Sequence, residues 1–157
     1  MAELRRVKHK HFRASAFCYY GLMKTQNYFR VSVKGIAIDE TGRFLLAKES
    51  NGMWEILGGG LDHDEEPIAA LKREIEEETG IEITYVSPMP KYFTTAQRLG
   101  HETYIANVVY EIKLKSLDFK SSEECTELRF FNVEEARKVD IFPSVEKFLD
   151  VFNPKFH

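Results

Sequence analysis

Cysteine is scarce here: Cys18 and Cys125 are the two in a chain of 157 residues. Two cysteines without metal-ligand spacing exclude a disulfide scaffold and point to a reduced, cytoplasmic setting. Long apolar runs are lacking too. None approaches the roughly 20 residues that cross a membrane, so no membrane partner is expected. Phe17–Met23 follows a basic start but is too short and too aromatic for the core of a signal peptide. Internal repeats and low-complexity tracts are absent. With 43% hydrophobic and 30% charged residues, the composition is that of one soluble globular domain. Net charge is also small, at −3.

That small total conceals two opposed segments. Residues 1–30 carry seven Lys/Arg and one acid, a balance of +6. Residues 62–82 carry two Lys/Arg and nine acids, a balance of −7. The remaining stretches, 31–61 and 83–157, stand at −1 each.

Strand and helix signals alternate along the chain. Val31–Asp39 and Arg43–Lys48 flank the turn residues Glu40-Thr41-Gly42 and read as a hairpin. Met53–Leu57 reads as a short strand running into Gly58-Gly59-Gly60. Pro67–Thr79 reads as a helix, with Pro at its first position, Gly80 just past its end, and Ile68, Leu71 and Ile75 as its apolar stripe. Strands are expected over Ile81–Ser87, Lys91–Ala96, Thr103–Leu114 and Leu128–Val133. Asn132 is placed to cap a helix through Val139, and Ser144 one through Val151. The pattern is that of a mixed α/β sandwich.

Glu74, Glu77 and Glu78 stand at i, i+3 and i+4 of the expected helix, so their carboxylates share one face. That face lies about 100° around the helix from the Leu71–Ile75 stripe. The helix can therefore bury its apolar side and hold three acids at one edge. A solvated acidic face is the ordinary explanation of such a cluster. Two facts weigh against it. Like charges this close repel, and acids in the second half of a helix oppose its dipole. A hard divalent cation, Mg2+ with Mn2+ as a substitute, would relieve both costs.

From Gly59 the chain runs five residues to Glu65, then seven to Arg73-Glu74-Ile75-Glu76-Glu77-Glu78-Thr79-Gly80-Ile81. This resembles the Nudix box, G-x5-E-x7-R-E-U-x-E-E-x-G-U with U a bulky aliphatic residue, and every fixed position matches. A chance match at one start point is below about one in a hundred million. The box covers 23 of the 157 residues. Trp54-Glu55-Ile56-Leu57-Gly58 and the upstream hairpin are also similar to the family, although many members have Pro where this chain has Leu57.

The resemblance implies a Nudix-type α/β/α sandwich with a mixed β-sheet. It also implies Mg2+-dependent hydrolysis of a nucleoside diphosphate linked to another group, by attack of activated water on phosphorus. Carried over by position, the metal ligands are the Gly58 carbonyl, Glu74, Glu77 and Glu78. Arg73 and Glu65 would hold those carboxylates in place, and Glu74 serves as or orients the base in some members. A downstream loop glutamate often activates the water; Glu123, Glu124 and Glu127 are candidates and Glu124 is preferred. His63, between Asp62 and Asp64, occupies a variable position of the box and is read as exposed. His9, His11 and His101 support no stronger reading.

Substrate identity lies outside the box. Tyr28, Phe29, Tyr92 and Phe93 are candidates for stacking on a base, although strand aromatics are more often core. Arg43, Lys48, Lys91 and Arg98 are candidates for phosphate contacts, with solvated surface charge as the default. The motifs that accompany NADH, coenzyme A, ADP-ribose and dinucleoside polyphosphate subfamilies are not found. Residues 1–27 form a basic arm ahead of a catalytic domain over 28–157. The arm has three readings: nucleic-acid binding, packing across a homodimer, or an extension upstream of a core beginning near Met23. The alternative to an enzyme is a catalytically silent Nudix-fold module that binds nucleotide or RNA. Such relatives often lose carboxylates of the box, and here none is lost.

Overall fold

The computed structural model of the chain describes residues 27–157. The basic arm, apart from its last residue, lies outside the described residues, as do Cys18, His9 and His11. Among the described residues no helix is long and apolar enough to cross a membrane.

Among the described residues, seven strands and three α-helices follow in the order β1 (Phe29–Ile36), β2 (Phe44–Lys48), β3 (Trp54–Glu55), α1 (Pro67–Thr79), β4 (Ile83–Val86), β5 (Tyr92–Gln97), β6 (Tyr104–Leu114), β7 (Glu127–Phe131), α2 (Val133–Ala136) and α3 (Pro143–Leu149). A 3-10 turn, Pro154–Phe156, comes last. The eleven-residue β6 organises the larger sheet. Along one side it pairs in parallel with all of β1, from Phe29 opposite Tyr104 to Ile36 opposite Glu111. Along its other side it pairs antiparallel with β5 and then with β4. A second, antiparallel sheet has the order β3-β2-β7.

The expected hairpin is therefore only partly formed. Its turn is made, with the Asp39 N–H donating to the Arg43 carbonyl at 2.9 Å and an isolated bridge between Ile38 and Phe44. Beyond the turn the strands part, β1 joining β6 and β2 joining β3 and β7. Each strand is buried on both faces, which one hairpin could not achieve. Leu45 and Ala47 of β2 face one core and Phe44 and Leu46 the other.

Alternation at period 2 thus feeds two cores. The first holds Val33, Leu45, Leu57 and Ile112 under Ala70, Leu71 and Ile75 of α1. The second holds Ile36, Phe44, Trp54 and Phe131 under Val145, Phe148 and Leu149 of α3. Helices on both faces of the sheets make the α/β/α sandwich that the sequence led us to expect.

Pro67 starts α1, and Gly80 ends it at φ 71° with its N–H on the Glu76 carbonyl. Only Gly takes this left-handed turn without strain. The buried side of α1 is Ala70, Leu71, Ile75 and Thr79, whereas Ile68 is exposed. Met53–Leu57 contracts to the two residues of β3, because the segment beyond turns to lie along β1. Asn132 caps α2 with a full capping box, but the helix stops at Ala136 rather than Val139. Ser144 does not cap α3. Pro143 is the first helical residue, Phe142 precedes it, and the Ser144 hydroxyl donates instead to Glu55 Oε2 at 2.6 Å.

Candidate active site

The glycine segment is held against β1 like an irregular edge strand. Val33 N–H donates to the Gly59 carbonyl and Gly35 N–H to the Leu57 carbonyl, both at 2.9 Å, and Leu61 N–H donates to the Val31 carbonyl at 3.1 Å. Gly58 sits between these bonds at φ 100°, where a Cβ would crowd the Val33 carbonyl and Leu71. The first core clamps α1 across the same strand, so loop and helix edge share one support. Truncating Leu71 or Ile75 would cost about 2–5 kcal/mol and loosen that support.

Two of the three helix acids face the loop. Glu78 Oε2 accepts the Gly58 N–H at 3.1 Å. Glu74 lies so close to Gly59 that any Cβ there would collide with its carboxylate. Burial pushes the Glu78 carboxyl up to about 7; Lys34 and the Gly58 N–H oppose the shift, and Glu124 and Glu74 add to it. Glu77 is more exposed and sits 3.2 Å from Arg73 Nη1.

Arg73 organises the cluster. Its Nε and Nη2 grip both oxygens of Glu65 at 2.9 and 2.8 Å, and its Nη1 donates to Glu74 Oε1 at 2.8 Å. Nη2 also reaches toward the Gly60 carbonyl at 3.4 Å. Donating to Glu65, then to Glu74, raises the Arg73 pKa, and accepting from Arg73 lowers that of Glu65. This planar fork is what a guanidinium offers and an ammonium does not.

Glu124 reaches the site through the loop before β7. Ser122 Oγ donates to the Glu78 carbonyl at 2.8 Å and accepts the N–H groups of Glu124 and Cys125. Lys120 N–H donates to the Thr79 carbonyl at 2.7 Å, tying the loop to the end of α1. Of the three loop candidates, Glu124 is the one whose charge bears on both Glu78 and Glu49. Glu127 pairs with Lys48 instead, at 3.7 Å.

One central residue escaped the sequence reading. Lys34 is buried at 6% exposure on β1, with its ammonium donating to the carbonyls of Ile56 (3.0 Å) and Gly58. Its sequence signal is a lone lysine within the apolar run Val31–Ile38. Burial raises the pKa values of Glu78 and Glu49 and the Lys34 charge opposes that rise, so Lys34 is the buried counter-ion of this acidic corner.

Among the described residues no closed set of three His, Cys, Asp or Glu side chains is drawn together for a metal. The donors still suit one. Carboxylates and a carbonyl are hard oxygens, and the Glu74 carboxylate lies where a Cβ on Gly59 would collide with it. Glu74 and Glu77 are held by Arg73, Glu78 accepts the Gly58 N–H, and the Gly58 carbonyl accepts from the Lys34 ammonium.

A cleft of about 290 Å³ opens beside Gly60 and is lined by Arg30, Ser32, Lys34, Glu49, Glu55, the 97–101 loop and Phe142–Ser144. The Arg30 guanidinium occupies the space that a Cβ on Gly60 would need. Arg98 and His101, both weighed from the sequence, line this cleft. The proposed stacking aromatics do not. Tyr28 is 76% exposed, Phe29 packs edge-on to Tyr104, and Phe93 points outward. Tyr92 faces the second core against Phe148, with its hydroxyl 2.7 Å from His157 Nε2. Alternation places Tyr92 inward on the α3 side and Phe93 outward, and neither side chain lines the cleft. Arg43 pairs with Asp39 and Lys91 with Glu111, away from the cleft, and His63 is exposed.

The family model described as NUDIX domain matches residues 28–152. The chain is 46% identical over 54 residues to a "MutT-like protein" of Streptomyces ambofaciens, covering 34% of this chain and 35% of that one. The match thus spans about a third of that relative's length. It is 27% identical over 117 residues to "Nucleoside triphosphatase NudI" of Enterobacter sp. (strain 638), covering 66% and 83%. Among solved structures, the E. coli ORF135 protein superimposes with a TM-score of 0.65 at 26% identity, covering 80% of this chain and 89% of that one.

Proposed function

This chain belongs to the Nudix family, and on that footing we propose that it hydrolyses a pyrophosphate bond in a nucleotide with the help of a divalent cation. The observation that carries the reading is the approach of Glu74 to Gly59, with no room for a side chain between them, together with the bond from the Gly58 N–H to Glu78. Glu74, Glu77, Glu78 and the Gly58 carbonyl would hold the cation, Mg2+ or Mn2+. The bound ion supplies charge neutralisation for the phosphates and Lewis acidity at phosphorus.

The chain's own residues account for the rest. Arg73 and Glu65 fix the direction of the carboxylates. Arg30, beside Gly60, meets a phosphate oxygen on the cleft side. Lys34 keeps the Gly58 loop in place and lowers the charge of the acidic corner. Glu124 takes the proton from the attacking water. A silent binding module is disfavoured, because Glu65, Arg73, Glu74, Glu77 and Glu78 are all retained. A relative is named for nucleoside triphosphates, which supports substrates of that class.

The test is turnover by the full chain with Mg2+ or Mn2+. The panel comprises normal and oxidised (d)NTPs, ADP-ribose, dinucleoside polyphosphates and nucleotide sugars, and the assay reads released phosphate, pyrophosphate or nucleoside monophosphate. Metal-dependent hydrolysis of at least one nucleotide is expected. Silence across the panel with both metals rejects the reading.

A further inference from the structure

The cleft runs over the α3-facing side of the larger sheet, where Ser32 and Ile105 line it, and Asn107 and Thr94 lie buried beside them. Ser32 of β1 stands opposite Asn107 of β6, and Asn107 opposite Thr94 of β5. Residues in register point to the same face, so these three form one row. On this face Asn107 and Thr94 lie between the apolar Val109 and Tyr92 on one side and Ile105 and Ala96 on the other, while Ser32 is flanked along β1 by Lys34 and Arg30. Gly60 bridges to Ser32 at the near end of the row. At one strand spacing per step, Asn107 stands roughly 10 Å from the glycine segment. Ser32 and Ile105, its neighbours across and along the sheet, both line the cleft.

Asn107 is 1% exposed, Thr94 7% and Ser32 7%. Both amide atoms of Asn107 and the hydroxyl of Thr94 are buried without a hydrogen-bond partner. Buried polar atoms are nearly always paired, and these three are clustered on adjacent strands. A core that needed only to pack would hold Leu and Val here.

We infer that Asn107, with Thr94 beside it, reads the hydrogen-bonding edge of the nucleobase when the phosphates lie at the glycine segment. The inference rests on the nucleotide reading above and adds which part of the nucleotide is recognised and by what. The row is neutral, so it suits a heterocycle edge rather than a phosphate, which would call for the cations grouped at Arg30 and Arg98. A primary amide presents an acceptor and a donor side by side, which matches the adjacent donor and acceptor on a base edge. A site built this way rejects an analogue that lacks the matching group, because its own polar atoms then stay unpaired.

The experiment measures kcat/KM for each natural nucleoside triphosphate against the analogue lacking its exocyclic group. The probes are CTP against the 4-unsubstituted pyrimidinone riboside triphosphate, and ATP against purine riboside triphosphate. GTP and UTP are likewise set against their deoxygenated forms. The wild-type chain prefers its best natural base over the matched analogue by about 10–100-fold, mostly through KM. Asn107→Leu, nearly isosteric, brings that ratio to within about threefold while the Tm of the ligand-free protein holds or rises. Thr94→Val lowers the ratio by a smaller factor and serves where the first variant does not fold. Unchanged ratios in both variants overturn the inference, as does a lower Tm in Asn107→Leu with the ratio kept, which marks a purely structural amide. Hydrolysis of nucleotides with an unaltered ratio rejects this inference alone, and no hydrolysis of any nucleotide rejects it together with the reading it rests on.

Discussion

The two faces of the sandwich are built from different materials. Under α1 the core is aliphatic, with Val33, Leu45, Leu57, Leu71, Ile75 and Ile112, and its polarity is pushed to the helix edge as full charges. Under α3 the core is aromatic, with edge-on pairs such as Phe44–Phe148 (5.4 Å) and Trp54–Phe131 (4.8 Å). Its buried polarity is the neutral row Ser32, Asn107 and Thr94 within the sheet itself, with the Lys34 ammonium beside Ser32 at one end. Charge gathered on a rigid helix suits the reacting phosphates, where a cation must be held. Neutral groups placed by strand register suit recognition, where geometry matters more than field strength. On the proposed reading, chemistry and recognition are divided between the faces, and β1 serves both, with Val33 facing one and Ser32 the other.

That division can be broken from either side. The largest effect is expected from Glu78→Gln, which keeps the shape of the carboxylate and removes its charge. Turnover falls on the order of a thousand-fold, or about 4 kcal/mol, while urea unfolding stays near wild type. Wild-type turnover in this variant would remove α1 from the chemistry. Next comes Phe148→Ala on the other face. It empties an aromatic contact with Phe44, Tyr92 and Phe152 and lowers unfolding free energy by about 3–5 kcal/mol. In the fraction that remains folded, kcat is expected within a few-fold of wild type; a thousand-fold loss would show that the faces are not separate.

Arg73→Lys follows, retaining the charge and losing the fork on Glu65. We expect a 10–100-fold loss in metal affinity, about 1.4–2.7 kcal/mol, measured by titration calorimetry. The smallest effect tests the joint between the sheets. Partial burial raises the Asp39 pKa, but bonds from the Thr41 hydroxyl, the N–H groups of Arg43 and Thr41, and the Arg43 side chain outweigh it and leave it at about 2. A lowered carboxylate stabilises the fold above its ordinary range near 3.8 and loses that effect as pH falls through about 2. Asp39→Asn should therefore cost about 1 kcal/mol at neutral pH. The gap to wild type should close between roughly pH 4 and pH 2. A gap independent of pH would assign the turn's stability to shape alone.

The sequence exposed the charged face more fully than the neutral one, for physical reasons. Helix α1 could be bounded to the residue because Pro67 and Gly80 punctuate it, and the spacing of Glu65, Arg73, Glu74, Glu77 and Glu78 is a local pattern. Strand existence was legible from alternation, and ends shifted by one to three residues. Strand partners were not, since period 2 says which residues share a face but not which strand lies alongside. Hence the hairpin was expected to hold together where the sheets in fact part. Lys34 and Asn107 were invisible for the same reason: a polar residue in an apolar strand acquires meaning only from its neighbours across the sheet. Ser144 resembled a cap because caps are local, yet its hydroxyl bonds Glu55, 89 positions away.

The parallel pairing of β1 with β6 has a kinetic consequence. Phe29 meets Tyr104, 75 positions later, with the glycine segment, α1, β4 and β5 all inside the closed loop. Closing so long a loop has an entropic cost that comes before its contacts can repay it, which slows folding. During synthesis the acidic helix emerges well before the strand that completes the sheet. A nascent chain ending before Tyr104 would then carry every residue of the box and no finished platform to hold it.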